Sequence, residues 1–430
     1  MRFEPEIGSA VPLLAAAFAS AALLAFVLTP FVRRWVAGLG MLDRPDPRRV
    51  NTRPVPRGGG FAVVGAFLPA ALLVLALDEL GGPVVRPPAG IGPPQLVGLL
   101  GGGVLAVALG FLDDYLQLRA RWQSLGQLAL AAFAIGLGLT ITTLTNPLGS
   151  GSLHLDGIVS IGFTAFWIVG MINSINWIDG LDGLSSGIGV IAAMTLGVIS
   201  LTVEIDQPFV ALFCFALAGA LLGFLRWNFH PASIFVGTSG VMFVGYTLAV
   251  LSILGTAKVA VALLVLGVPI IDTFWIIVRR MAARRSPFSP DRGHIHHRLL
   301  DLGLSHTQTV LLIYAICAGL AVLSFVLSGR TQVYAFLGIV VVSGLLLLLI
   351  TRRAARPDDL EATAYEEGAT GVADGDERLA RTTMGAPTTA EGGPRRAEAL
   401  ERLEPLEPPL PPAIAALPGS PGRKGAPGRR

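Results

Sequence analysis

Residues 173–184 read Asn-Ser-Ile-Asn-Trp-Ile-Asp-Gly-Leu-Asp-Gly-Leu, between two apolar runs of membrane-crossing length. Two amides and two carboxylates, Asn173, Asn176, Asp179 and Asp182, recur every third residue. On a helix such residues neighbour one another along a slowly drifting stripe. Polar and ionisable groups at the edge of a bilayer are costly to keep, so by default they mark function. A stripe of amides and carboxylates suits a hydrated divalent cation, a sugar or a nucleobase edge. It suits lipid tails poorly.

The flanking runs decide the fold class. Of 430 residues, 53% are hydrophobic and only 14% are charged, against about 25% charged in a soluble protein. The apolar blocks match the roughly 20 residues a helix needs to span a bilayer, and the alternation of a membrane barrel is absent. The sequence predicts an all-α polytopic integral membrane protein with about 11 transmembrane helices. They fall near 11–32, 58–80, 95–112, 124–145, 157–173, 182–203, 208–225, 234–254, 257–277, 309–328 and 331–350. The first run lacks a basic leader and reads as a retained span. Cys214 and Cys317 lie inside apolar segments and read as small core residues, not a disulfide or metal pair.

Charge orients the bundle. One set of connections holds Arg33, Arg34, Arg44, Arg48, Arg49, Arg53 and Arg57, then Arg119 and Arg121, then Arg226, then six arginines between 279 and 298, then Arg352 and Arg353. The opposite set holds only Arg86, Lys258 and Arg330. The positive-inside rule makes the richer side cytoplasmic, with the N-terminus outside and the C-terminus inside. Residues 1–353 form the transmembrane domain. From 354 to 430 Pro, Ala, Glu, Arg and Gly dominate without apolar periodicity, the signature of a disordered tail.

Four polar clusters fall on the predicted cytoplasmic side. Asp113-Asp114 ends the third span; adjacent carboxylates repel, and a cation or an acid–base task would explain keeping both. The plainer reading is a solvated helix end, although Asp is disfavoured at a helix C-terminus. The segment Pro287–Arg298 holds three of the six histidines, His294, His296 and His297. Their spacing permits a transition-metal site, but thiols are missing, and phosphate binding beside Arg292 and Arg298 is the stronger reading. The loop from Asp43 to Gly60 combines arginines that attract phosphate or anionic headgroups with three consecutive glycines; topology alone predicts such a loop. Asn228–Gly240 offers a Gly-bounded turn at a helix N-terminus, fit to meet an anion, and Phe235, fit to stack on a base.

These motifs, in this order over roughly residues 10–350, resemble the polyprenyl-phosphate N-acetylhexosamine-1-phosphate transferase superfamily, glycosyltransferase family 4. The match to Asn-x-x-Asn-x-x-Asp-Gly-Leu-Asp-Gly-Leu is complete. The His-x-His-His-Arg form resembles the bacterial undecaprenyl-phosphate N-acetylglucosaminyl-1-phosphate transferase branch. It is unlike the three-histidine run of the peptidoglycan phospho-N-acetylmuramoyl-pentapeptide transferase. The resemblance implies transfer of a sugar 1-phosphate from a UDP-N-acetylhexosamine to undecaprenyl phosphate with release of UMP, the first membrane step of envelope polysaccharides such as lipopolysaccharide or teichoic acid. It implies a Mg²⁺ cofactor with Mn²⁺ as alternative, the bilayer and no nucleic acid as partner, a homodimer, and an active site on the cytoplasmic face of the bacterial plasma membrane.

Residue by residue, the resemblance places Asp113 and Asp114 at the reaction centre and Asn176 with Asp114 on the metal. Asp182 and Phe235 would hold uracil, with Asn173 and Asp179 lining the same pocket. His294, His296, His297 and Arg298 would hold the pyrophosphate and sugar. Thr238 stands where the family usually has a metal-binding Asp, Gln117 where a further acidic residue is common, Gln123 where a Lys is common, and Asn51 where a His is common. Two other readings follow: a catalytically impaired relative that binds nucleotide-sugar or lipid carrier, and a transporter. The transporter predicts mid-membrane ionisable groups and inverted repeats; only Asp272 lies near the membrane, beside Arg279 and Arg280, and no repeat is evident.

Overall fold

The computed structural model describes residues 7–44, 53–146, 148–149, 151–202, 205–255, 258–282, 284 and 293–353. All lie in one unit, Met1–Arg353. The expected tail at 354–430, Asn51 and the segment Pro287–Arg292 lie outside the described residues.

Helices α1 (Ile7–Gly38), α2 (Gly60–Gly81), α3 (Pro93–Leu116) and α4 (Ala120–Gly136) lead into α5 (Gly157–Ile178) and α6 (Leu184–Ser200). Then come α7 (Pro208–Asn228), α8 (Gly237–Leu254), α9 (Lys258–Val265), α10 (Gly267–Ala282), the short α11 (Ile295–Asp301), α12 (His306–Val326) and α13 (Arg330–Arg353). Two small antiparallel ladders complete the described structure. Strand β1 (Leu42–Asp43) pairs with β2 (Val55–Pro56), and β3 (Thr143–Thr145) pairs with β4 (Ser152–His154).

The molecule is a polytopic helical membrane protein. Among the described residues, seven helices, α1, α2, α3, α5, α7, α8 and α12, are long and apolar enough to cross a bilayer, and α9 with α10 makes an eighth candidate bent by 78°. α6 and residues 330–345 of α13 are apolar but shorter. This differs from the expected eleven, and local chemistry explains where. The fourth expected span stops at Gly136, where Gly138 takes a left-handed φ of 82°. The Thr-rich continuation pairs as β3, as β-branched residues favour. The ninth expected span breaks around Leu266–Gly267, where Pro269 has no N–H to continue the helix from α9. α5 instead overruns its expected end at 173, so Asn173 and Asn176 are helical while Asp179 caps the helix.

The core sits on α7 and α8, whose apolar windows are 72% and 89% buried. Close approach of small residues builds it. A Cβ on Gly219 would lie 2.1 Å from the Phe18 carbonyl oxygen, and one on Gly223 would lie 2.0 Å from that of Ala22. This Gly-x-x-x-Gly face therefore seats α7 on α1 backbone to backbone, the packing that dispersion favours where lipid removes the hydrophobic drive between helices.

Candidate active site

The last turn of α3 carries both acidic residues into the protein. The Asp114 side chain is fully buried. Its Oδ1 accepts from Arg57 Nε at 3.0 Å and from the Thr238 N–H at 2.8 Å, and Arg57 Nη2 lies 2.9 Å away as an ion-pair contact. Its Oδ2 accepts from the Ser239 N–H at 3.0 Å. Asp114 thus ties the first loop to the N-terminus of α8, where a carboxylate also answers the helix dipole. The backbones close around this contact. Arg57 and Phe235 form a parallel bridge, and the Gly59 and Gly60 N–H groups donate to the Phe235 and Val236 carbonyls at 2.9 and 3.0 Å. A Cβ on Gly60 would lie 2.3 Å from the Gly240 nitrogen, so the glycine run is a packing requirement here.

Asp113 is held differently. Its Oδ1 accepts from the Leu118 N–H at 3.0 Å and from Gln123 Nε2 at 2.7 Å, and its Oδ2 accepts from Thr238 Oγ1 at 2.7 Å. These three donors are neutral. Thr238 also receives a long 3.4 Å contact from Arg57 Nη2, so its hydroxyl bridges the two carboxylates' networks. Gln123, at a position where sequence resemblance expects a Lys, is thereby a direct partner of Asp113.

The stripe from α5 enters from the side. Asn173 Nδ2 donates to Gln127 Oε1 at 2.7 Å and to the Val169 carbonyl at 2.8 Å. Asn176 is half-buried, and among the described residues no group hydrogen-bonds its side chain. Asp179 accepts from the Ser185 hydroxyl. Burial pushes its carboxyl up to about 7, with Asp114 and Asp182 adding to the rise and Ser185 and Arg57 opposing it. Asp179 therefore shares its electrostatic surroundings with the Asp114–Arg57 pair. Asp182, in the turn before α6, accepts from His230 Nδ1 or shares its proton at 2.7 Å, and accepts from the Ala232 N–H at 3.0 Å. That bond brings it within three residues of half-buried Phe235 in the chain.

The histidine segment closes the far side. His294 Nδ1 meets Asp272 Oδ2 at 2.7 Å, and the Ile295 N–H donates to Asp272 Oδ1 at 2.8 Å, so a buried carboxylate on α10 caps α11. His296 is 1% exposed. Burial, reinforced by the neighbouring imidazoles, holds it well below the ordinary histidine range, so it is neutral at pH 7. Its Nε2 would lie 2.1 Å from a Cβ on Gly180, which explains the glycine at the second position of the Asp-Gly-Leu-Asp-Gly turn. His297 lies 4.4 Å from His296 between ring centroids, and Arg298 Nε donates to the Gly293 carbonyl at 3.1 Å. Arg280, buried on α10, lies over the Trp177 ring at 5.2 Å.

Comparison with known proteins fits this geometry. A protein named probable undecaprenyl-phosphate N-acetylglucosaminyl 1-phosphate transferase, from Bacillus subtilis, is 34% identical over 321 residues, 73% of this chain and 85% of that protein. Decaprenyl-phosphate N-acetylglucosaminephosphotransferase of Mycolicibacterium smegmatis is 35% identical over 383 residues, 82% of this chain and 92% of that one. Undecaprenyl-phosphate alpha-N-acetylglucosaminyl 1-phosphate transferase of Thermotoga maritima is 29% identical over 328 residues, covering 76% and 94%. The pattern of glycosyl transferase family 4 matches residues 96–256.

The chain belongs to glycosyl transferase family 4.

The family 4 match runs from α3 through α8 and takes in Asp113, Asp114, the 173–182 stripe and the Phe235–Thr238 turn, while the histidine segment lies beyond it. In the sequence Arg57 is one loop arginine among several and Asp272 a stray membrane charge; the structure makes both direct partners of site residues. The position of Arg57 next to Gly58-Gly59-Gly60 is the signal that could have singled it out. Gln127, Ser185, His230 and His306 carry none, because each acquires its partner from a different segment.

Proposed function

We propose that this chain transfers N-acetylglucosamine 1-phosphate from its UDP-sugar to undecaprenyl phosphate, releasing UMP, on the cytoplasmic face of the bacterial plasma membrane. An acceptor phosphate oxygen attacks the sugar-bearing β-phosphorus, a new P–O bond forms to the lipid phosphate, and the bond to the α-phosphate oxygen breaks with UMP leaving. The observation that carries this reading is the unequal partnering of Asp113 and Asp114, with Asp114 close enough to Asp179 at the end of α5 to act on its carboxyl. Asp114 is compensated by Arg57 and two helix amides. Asp113 meets only neutral donors. A carboxylate so placed can order the acceptor phosphate or take its proton.

The side chains fit a hard, oxygen-seeking dication such as Mg²⁺. The Asn176 amide oxygen and the remaining lone-pair capacity of Asp113 would hold it, and the ion would supply charge neutralisation for the two phosphate-bearing substrates. Asp114, committed to three hydrogen bonds and the Arg57 ion pair, serves by holding Arg57 and the start of α8. Asp179, Asp182 and Phe235 are assigned to the nucleotide side, with Asn173 positioned by Gln127. His294, His296, His297 and Arg298 are assigned to the pyrophosphate and sugar. Neutral His296 offers a hydrogen bond there without a counter-charge.

One observation favours a second reading, a catalytically impaired relative. Thr238 presents a hydroxyl to Asp113 and no third carboxylate. Purified protein in detergent, with undecaprenyl phosphate, Mg²⁺ and a panel of UDP-sugars, separates the two. UMP release and lipid-linked product with UDP-N-acetylglucosamine, abolished by chelator, supports the transferase. Binding of UDP-sugar without turnover, and turnover gained in Thr238→Asp, supports the impaired relative.

A further inference from the structure

Three side chains from distant parts of the chain converge, two of which, His230 and His306, the proposed transfer does not use. Asp182 sits in the turn between α5 and α6, His230 in the loop between α7 and α8, and His306 at the first residue of α12. One ligand atom from each lies within 4.8 Å of the other two, and among the described residues this is the one group of three His, Cys, Asp or Glu side chains so arranged. The His-x-His-His spacing, the obvious metal motif in the sequence, does not form such a group among them. His294 there is already engaged by Asp272.

Three features ask for a ligand. Both ring nitrogens of His306 are shielded from water and neither meets hydrogen-bond geometry, although the Asp182 backbone lies close by. Even with the Asp182 backbone as a distant partner for one nitrogen, a neutral imidazole then leaves the other unsatisfied, which native interiors avoid. The His230 and His306 rings are stacked at 4.1 Å and 19°, so charging both would place two cations face to face. The framework around them is already set. Ala232 N–H and His230 hold Asp182 Oδ2, and Ser305 and Gln308 form a reciprocal cap that fixes the backbone at His306.

We propose that Asp182, His230 and His306 bind a transition-metal dication of the Zn²⁺ class. Two imidazole nitrogens and one carboxylate oxygen form a borderline donor set that selects Zn²⁺ over the oxygen-seeking Mg²⁺. Three protein ligands leave a fourth position open to water or an incoming oxygen. The ion replaces the proton shared by Asp182 and His230, and the His306 ring turns a nitrogen toward it. Bound metal clasps the 182 turn, the 230 loop and α12 together. Since the nucleotide reading above also uses Asp182, metal and UDP-sugar exclude one another; this consequence alone rests on that reading.

The test uses full-length protein in detergent with any affinity tag removed, Co²⁺ as spectroscopic probe and Zn²⁺ in calorimetry. One Co²⁺ per chain is expected, with visible absorption of a four-coordinate ion, displaced by Zn²⁺ and indifferent to excess Mg²⁺. His306→Gln and His230→Gln should each weaken binding by about 100-fold, with Zn²⁺ no longer raising the melting temperature. His230→Gln, at an exposed position, keeps the test decisive if His306→Gln fails to fold. Absence of binding in the wild type, or binding that survives both variants and disappears in His297→Gln, overturns the site. Binding lost in both variants yet without competition against UDP-sugar upholds the metal site and removes Asp182 from the nucleotide, so the two readings fail separately.

Discussion

Asp113 and Asp114 are adjacent in sequence and opposite in circumstance. Asp114 faces a guanidinium and two backbone amides and is sealed from solvent. Asp113 faces an amide side chain, a hydroxyl and one backbone N–H, all neutral. The first arrangement is an architectural joint between the first loop, α3 and α8. The second surrounds the carboxylate with neutral groups alone, and the proposed transfer gives it the acceptor phosphate. Adjacent carboxylates can thus divide structure and chemistry between them because one residue's step along a helix changes the direction of the side chain by about 100°.

That division is tested most severely at Asp113. Asp113→Asn should lower UMP release by about 1,000-fold, roughly 4 kcal/mol of barrier, with the melting temperature little changed. Asp114→Ala should do the reverse in kind, leaving Arg57 without its buried counter-ion and costing about 3 kcal/mol of stability. A shift in melting temperature larger for Asp113→Asn than for Asp114→Ala would invert the assignment.

Smaller effects refine it. Asn176→Ala should raise the Mg²⁺ concentration needed for half-maximal rate about 10-fold while leaving stability unchanged, the mark of a side chain that contributes nothing to the fold. The mildest effect concerns Asp179. With its carboxyl pushed up to about 7, it is mostly neutral below that pH and charged above it. The charged form repels the UDP-sugar diphosphate, so the donor KM should rise about 3-fold between pH 6 and pH 8. Asp179→Asn, neutral throughout, should flatten that slope; an unchanged slope assigns the titration elsewhere.

Much of this is legible in the amino-acid sequence. The apolar blocks declare the helical membrane fold, since backbone groups in lipid must bond internally and a helix does so within its own segment. The Asn173–Asp182 stripe and Asp113-Asp114 declare themselves by being costly where they stand. The number of spans is less legible. Gly138 and Pro269 end helices that hydropathy alone would continue, and α5 runs past the point where its apolar character fades.

Topology class and the residue types at the site follow from the linear chain, because lipid imposes one-dimensional rules on length and charge. The partners follow from tertiary structure. That Arg57 compensates Asp114 and not Asp113, that Thr238 bridges the two networks, that Gly180 makes room for His296, and that His230 and His306 meet Asp182 are all contacts across many tens of residues. Such contacts depend on how helices pack, and helix packing is set by the shape of whole faces, which no local spacing encodes.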